Sequence, residues 1–577
     1  MTPTTQRTAL KVPAKILLTL TLAAAAGALA ASNASGAPGG PASGPPNRAM
    51  QLRHGPAMIV HHPAGLKTGR KPRPGQPHGP MAQHPHNAPH ASSFLPPPAN
   101  PNKISVVKGH ITVDGKMLHY HATTGYMPMT NGAGRVVARM FYIAYTKDRP
   151  AKSSAARRPI TFIFNGGPGA SSVWLNLGTA GPTRLQLPKN GGVPNPPYKL
   201  VKNHQTWLGA TDLVFIDPID TGYSRAAPGV PPQQFFGVQQ DIQSVGSFIR
   251  LYLTTYSRWA SPKFLAGESY GTTRAAALAQ FLPLRYGIAL NGVMLLSSVL
   301  NFQTIQFNQG NDLPYPLFLP TYTATAWYHH KLPAALQAHF HQTLAKVRRW
   351  ARTVYAPALA QGAALPRAQR IAIIDKLARY TGLSKNYVVR CNLRIRPERF
   401  EQQLLNSQSE IVSRMDTRLT AFNTDRAAGS ASYDPGMQGL IAPYTSAFED
   451  YVSRILKYHN LLPYDVLSDH VFPWHFDAHN SYLNVADNLQ QAMVNSPKMK
   501  ILACMGYFDL ATPFYSQIYT FNHLHVGRKL QKNVTEKFFM SGHMVYHPYS
   551  QLVRLHHIIE TFIRSSDTSG AKPAVKK

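Results

Sequence analysis

The sequence predicts an α/β protein, a mostly parallel central sheet with helices on both faces and a large inserted cap. Three observations carry this. Short apolar runs recur at residues 159–164, 212–216, 263–266, 293–296 and 500–504. Continuous runs of this kind suit strands buried on both faces. Helical patterns lie between them, as where Val238, Ile242, Val245, Ile249 and Tyr252 line one apolar face. The alternation stops from about Asn301 to Ser496 and returns at Lys500.

The expected organisation follows in chain order. Arg7, Lys11 and Lys15 precede an apolar stretch over 16–30 that ends at Ala28-Leu29-Ala30. This reads as a signal peptide over 1–30, too short for a comfortable membrane span. An uncleaved anchor is the alternative. Residues 31–100 are rich in Pro, Gly, Ala and His and poor in large apolar residues, so they read as a disordered linker. Its histidines lack a regular ligand spacing and no cysteine accompanies them, which favours a solvated segment over a metal site. Order is expected near Ile104. Ile104–Val107 and Ile111–Val113 read as strands about a Lys108-Gly109-His110 turn, followed by a further strand over 136–145. The first part of the core is placed at 101–300, the cap at 301–496 and the second part at 497–565. Helices are expected over 336–356 and 369–380. Residues 552–562 repeat apolar positions at helical spacing, and 566–577 read as a flexible tail.

Charge and cysteine content bound the function. The chain of 577 residues has 59 Lys and Arg against 25 Asp and Glu, for a formal charge of +34, and no acidic residue before Asp114. No nucleic-acid motif or single basic stripe occurs, so a solvated basic surface is expected, with weak contact to an anionic envelope as the functional alternative. Two cysteines, Cys391 and Cys504, exclude a disulfide scaffold; one bridge or two buried thiols both fit.

The chemistry concentrates at strand ends. Gly267-Glu268-Ser269-Tyr270-Gly271 follows the run at 263–266 and precedes a helix expected over 272–282, ending before Pro283. Strand, G-x-S-x-G, helix is a nucleophile elbow, with the serine on a strained turn. The strand at 159–164 runs into Asn165-Gly166-Gly167-Pro168-Gly169-Ala170-Ser171-Ser172. This loop lacks Gly-Lys-Ser/Thr and G-x-G-x-x-G, which argues against a phosphate cradle and leaves a site for an oxyanion donor. A serine nucleophile needs a base and a group to orient that base. Asp509 and His543 follow two later strand ends, in the order Ser, Asp, His. Singly, Asp509 could be a helix cap and His543 an ordinary loop histidine.

Four stretches together resemble the serine carboxypeptidase family of α/β-hydrolases: 165–172, 217–224, 267–271 and Gly542-His543-Met544-Val545. The resemblance covers roughly residues 104–563. It implies Ser269 as nucleophile, His543 as general base and then acid, and Asp509 as orienting carboxylate. It implies an oxyanion hole from the N–H groups of Gly167 and Tyr270. Asn165, Gly166 and Glu268 are implied to bind the terminal carboxylate of a peptide. Glu268 must then be protonated, since an ionised glutamate would repel that carboxylate, and acidic pH should be favoured. Two departures stand out. Thr179 occupies the place of the family's second carboxylate-binding glutamate, and Ala170 that of a cysteine in the glycine loop. The expected protein is an exported, bacterial-type serine carboxypeptidase acting on peptides with a free C-terminus, without cofactor, metal or nucleic acid. An esterase or acyltransferase on the same scaffold, or a non-catalytic envelope-binding protein, are the alternatives.

Overall fold

The computed structural model describes residues 102–149, 158–431 and 433–567. The expected signal peptide and linker, and all but two residues of the expected tail, lie outside those residues. Three antiparallel strands open the sheet: β1 (Ser105–Val113), β2 (Lys116–Thr130) and β3 (Val136–Lys147). The turn expected at 108–110 is instead continuous strand. Gly109 pairs with Tyr120, whose ring occupies the space a Gly109 side chain would need. The chain turns at Asp114 and Gly115, both at positive φ.

The five apolar runs form β4 (Ile160–Phe164), β5 (Asp212–Ile216), β6 (Lys263–Glu268), β7 (Gly292–Leu296) and β8 (Lys500–Gly506), and a half-buried strand that carries Glu536 and Lys537, β9 (Val534–Phe539), follows them. The spatial order is β1-β2-β3-β5-β4-β6-β7-β8-β9, and every pair from β5 to β9 is parallel. A two-residue strand, Arg225–Ala226, adds to β3. This is the α/β-hydrolase fold.

Each buried strand feeds two cores, because successive side chains point to opposite faces. Phe162, Phe164, Leu265, Val293, Leu295 and Ile501 pack on one face. They meet helices α1 (Val238–Thr255), α2 (Tyr270–Tyr286), α4 (Ala486–Asn495) and α5 (Phe514–Asn522). Ile163, Phe215, Phe264, Met294 and Leu502 pack on the other, against α3 (Pro435–Asp450) and α6 (Tyr549–Ser566). Full burial of each such side chain stabilises the fold by roughly 1.5–3 kcal/mol. Cys391 belongs to the first core and Cys504 to the second; both are buried free thiols, so the bridge left open by the sequence is absent.

Two helices differ from expectation. Helix α2 runs through Pro283 to Tyr286. The proline sits in its last turn, and Gly287 at φ 67° restores capping bonds: Gly287 N–H donates to Pro283 O, and Ile288 N–H to Leu282 O. The helix expected over 336–356 divides into Ala334–Gln337, Phe340–Trp350 and a π-helical turn, Ala351–Tyr355, before Ala356–Ala360. Pro357 has no N–H for the carbonyl four residues back, so an α-helical ladder cannot continue unbroken there. The helix expected over 369–380 runs Arg367–Thr381. A small hairpin, Glu410–Val412 with Thr420–Phe422, completes this stretch. Among the described residues no helix is long and apolar enough to cross a membrane.

Candidate active site

The parallel register aligns strand ends. Phe164 pairs with Gly267, Glu268 with Leu296, and Leu296 with Cys504. The loops after β4, β6, β7, β8 and β9 therefore gather at one edge, where ligands bind in open α/β sheets.

Ser269 stands between β6 and α2 at φ 61°, ψ −131°. That backbone region is strained for any residue with a side chain. It persists because the turn is held on both sides: Ser269 N–H donates to Leu296 O at 3.0 Å, and Ser269 O accepts from Thr272 N–H at 2.8 Å. The flanking glycines are a packing requirement, since a Cβ on Gly267 would collide with the Gly271 carbonyl. Gly166 meets the same elbow from the β4 loop, and a Cβ there would strike the Tyr270 and Gly271 nitrogens. The glycine loop thus lies directly against the start of α2. Tyr270 is the first residue of that helix, so its N–H has no partner one turn back and sits at the helix's positive end.

His543 follows β9. Its Nδ1 lies 2.9 Å from Asp509 Oδ2, and the two side chains are 2% and 0% exposed. An ionised carboxylate only accepts, so Nδ1 carries the proton and Nε2 is left basic. Asp509 is saturated with donors: the N–H groups of Ala511 and Thr512 at 2.8 and 2.9 Å, and the Thr512 hydroxyl at 2.8 Å. Burial alone would lower the His543 pKa, but the adjoining Asp509 carboxylate outweighs it and the net shift is upward. Ser297, just past β7, donates its hydroxyl to His543 O at 2.5 Å, and its carbonyl lies 3.0 Å from Thr512 Oγ1 as the alternative acceptor for the one Thr512 hydroxyl proton.

Asn165 and Glu268 form the second half of the site. Asn165 Oδ1 accepts from Leu175 N–H at 3.1 Å, which turns Nδ2 to Glu268 Oε1 at 2.9 Å. Burial pushes the Glu268 carboxyl from an ordinary 4.5 up to about 7, against the opposing pull of His543. The nearby Tyr546 hydroxyl also favours the anion, more than Asn165 does, although it and Glu268 Oε2 stand outside hydrogen-bond geometry. A proton on Oε2 is free to be donated to an incoming oxygen. Behind the pair, Arg274 binds Asp241 at 2.8 and 3.0 Å and donates to Asn165 O at 2.6 Å. Asp217, from the 217–224 stretch, accepts from Ser172 N–H and Oγ, both at 2.8 Å, and so anchors the far end of the glycine loop.

One solvent-open pocket is lined by Asn165, Gly166, Gly167, Glu268, Ser269, Tyr270 and His543 together, with Asp509 buried behind the imidazole. Thr179 is fully buried and is not part of its wall. Sequence reasoning missed Ser297, Thr512 and Arg414. Thr512, three residues after Asp509, carried a capping signal; Arg414, in an aperiodic stretch, carried none. The described metal-type cluster, Asp114, His556 and His557 with ligand atoms within 4.8 Å of one another, includes no residue of this pocket. The arrangement offers a serine with a buried imidazole–carboxylate pair and a neutral acid beside it, the parts of an acyl-transfer site.

Comparison with known proteins identifies the family. Similar curated proteins include a carboxypeptidase Y homolog from Arthroderma benhamiae, 32% identical over 122 residues, 21% of this chain and 22% of the relative. Serine carboxypeptidase-like 35 from Arabidopsis thaliana is 26% identical over 163 residues, 27% of this chain and 32% of the relative. The matches thus span roughly a fifth to a third of these relatives' length. Among solved structures, Kex1(delta)p, a prohormone-processing carboxypeptidase from Saccharomyces cerevisiae, is 15% identical with a TM-score of 0.47, over 77% of this chain and 92% of that one. Residues 113–543 match the sequence profile described as serine carboxypeptidase. Because that match runs from the first hairpin of the sheet to His543 and takes in every strand-end loop of the pocket, the chain belongs to the serine carboxypeptidase family.

Proposed function

We propose that the protein is a serine-type carboxypeptidase that releases C-terminal residues from peptides through an acyl-enzyme. The observation that carries this reading is the pairing, in one pocket, of Ser269 and His543 with a buried glutamate held largely neutral below pH 7. Ser269 Oγ attacks the carbonyl carbon of the last peptide bond while His543 Nε2 takes its proton. The N–H groups of Gly167 and Tyr270 stabilise the oxyanion. The C–N bond breaks, His543 protonates the departing amine, and water repeats the sequence on the ester. Asn165 and protonated Glu268 hold the terminal carboxylate of the substrate against Gly166, favouring acidic pH.

Residues 301–496 act as the cap, supported by Phe302, Ile305, Met415, Leu467 and Phe472 in the pocket wall. Export to the periplasm or exterior rests on the N-terminal sequence, the bacterial-type reading on Ala170 in place of the glycine-loop cysteine, and weak contact with an anionic envelope on the net charge of +34. The test incubates purified protein with a peptide panel and follows C-terminal trimming by mass spectrometry, alongside fluorophosphonate labelling of Ser269. Sequential loss of C-terminal residues with labelling is expected. Labelling with ester cleavage but no trimming would replace the peptidase reading.

A further inference from the structure

The pocket wall is largely apolar, with Trp174, Phe302, Ile305, Leu467 and Phe472 around the reacting groups. Its one carboxyl, one imidazole and one guanidinium are those of Glu268, His543 and Arg414. In the reactive state Glu268 is a neutral acid and His543 a neutral base. A guanidinium is cationic, and Arg414 brings one to the described wall. That charge is felt at the centre, where it disfavours the protonated form of His543.

Arg414 is held in place by its backbone. Its N–H donates to Asp434 Oδ2 at 2.6 Å, and its carbonyl accepts from Leu510 N–H at 3.0 Å, one residue beyond Asp509. The next carbonyl, of Met415, accepts from His543 N–H at 2.6 Å. The half-buried Arg414 is therefore tied to both loops that carry the imidazole–carboxylate pair. A guanidinium in partly dry surroundings binds a carboxylate strongly and, through its fork, in a fixed orientation. The formal charge of +34 acts in the same direction at long range, concentrating anionic peptides near the surface.

We propose that Arg414 is a specificity-determining residue that binds a substrate carboxylate, making acidic peptides the favoured substrates. This rests on the carboxypeptidase reading above. The carboxylate has two sources: the chain terminus, shared with Asn165 and Glu268, or an Asp or Glu side chain at one of the two residues flanking the scissile bond.

The test compares blocked peptides carrying Glu or Gln at each of the last two positions, as free acids and as amides. In the wild type, kcat/KM should favour the charged partner by about 10- to 100-fold, and raising the salt should shrink that preference. Arg414→Gln should bring the ratio close to one, Arg414→Lys should keep part of it, and Arg414→Glu should turn it toward Lys-containing peptides. Collapse of the Glu/Gln ratio identifies the side chain as the source; collapse of the acid/amide ratio identifies the terminus. Labelling of Ser269 by fluorophosphonate establishes that each variant keeps its elbow. Equal preference in wild type and a labelled Arg414→Gln overturns the proposal. So does a wild type that trims all peptides without preference, an outcome that leaves the carboxypeptidase reading standing. A wild type that labels but trims nothing overturns both.

Discussion

Replacing Glu268 by Gln tests the electrostatics of the pocket most directly. Burial raises the Glu268 carboxyl from 4.5 to about 7, which costs the ionised form about 3 kcal/mol. With a pKa near 7, about nine-tenths of the protein carries the neutral acid at pH 6 and about one-tenth at pH 8. The substrate's terminal carboxylate is ionised throughout this range. KM for a free-acid peptide should therefore rise about 10-fold from pH 6 to pH 8. The matched amide should change much less. Gln donates through its amide at every pH, so Glu268→Gln should make the two curves level. Stability follows the same proton. The folded state binds it more tightly than the unfolded chain, so the contribution of up to about 3 kcal/mol is complete below pH 4.5 and lost as pH rises through about 7. Denaturant unfolding of Glu268→Gln should lack that decline between about pH 4.5 and 7. KM measured against pH for acid and amide substrates in both proteins decides the matter. Parallel curves in all four combinations would refute carboxylate recognition by Glu268.

Two further outcomes are expected. Ser269→Ala and Ser269→Gly should each lose about a million-fold in turnover, read as kcat, yet Gly should unfold at higher denaturant by about 1 kcal/mol, because only it adopts φ 61°, ψ −131° without strain. Arg274→Ala leaves Asp241 charged and buried and should cost about 3–5 kcal/mol in denaturant unfolding, whereas Arg274→Met with Asp241→Leu should recover most of that loss.

The sequence by itself determined the sheet, the elbow and the order Ser269, Asp509, His543. Each is a local signal: buried strands read as continuous apolar runs, and a strained turn needs glycines beside it. It also located Asn165 and Glu268, through short motifs at strand ends. It misread the Gly109 turn and the end of α2 at Pro283, because both depend on non-adjacent groups: the Tyr120 ring in one case, the Gly287 cap in the other. Tertiary structure alone decided which distant groups share the pocket. Arg414 reaches it only because its carbonyl and that of Met415 bond to the Asp509 and His543 loops, contacts between segments with no common periodicity. Tertiary structure also set the protonation of Glu268, since desolvation depends on what surrounds a carboxyl in space and leaves no mark on its neighbours in sequence.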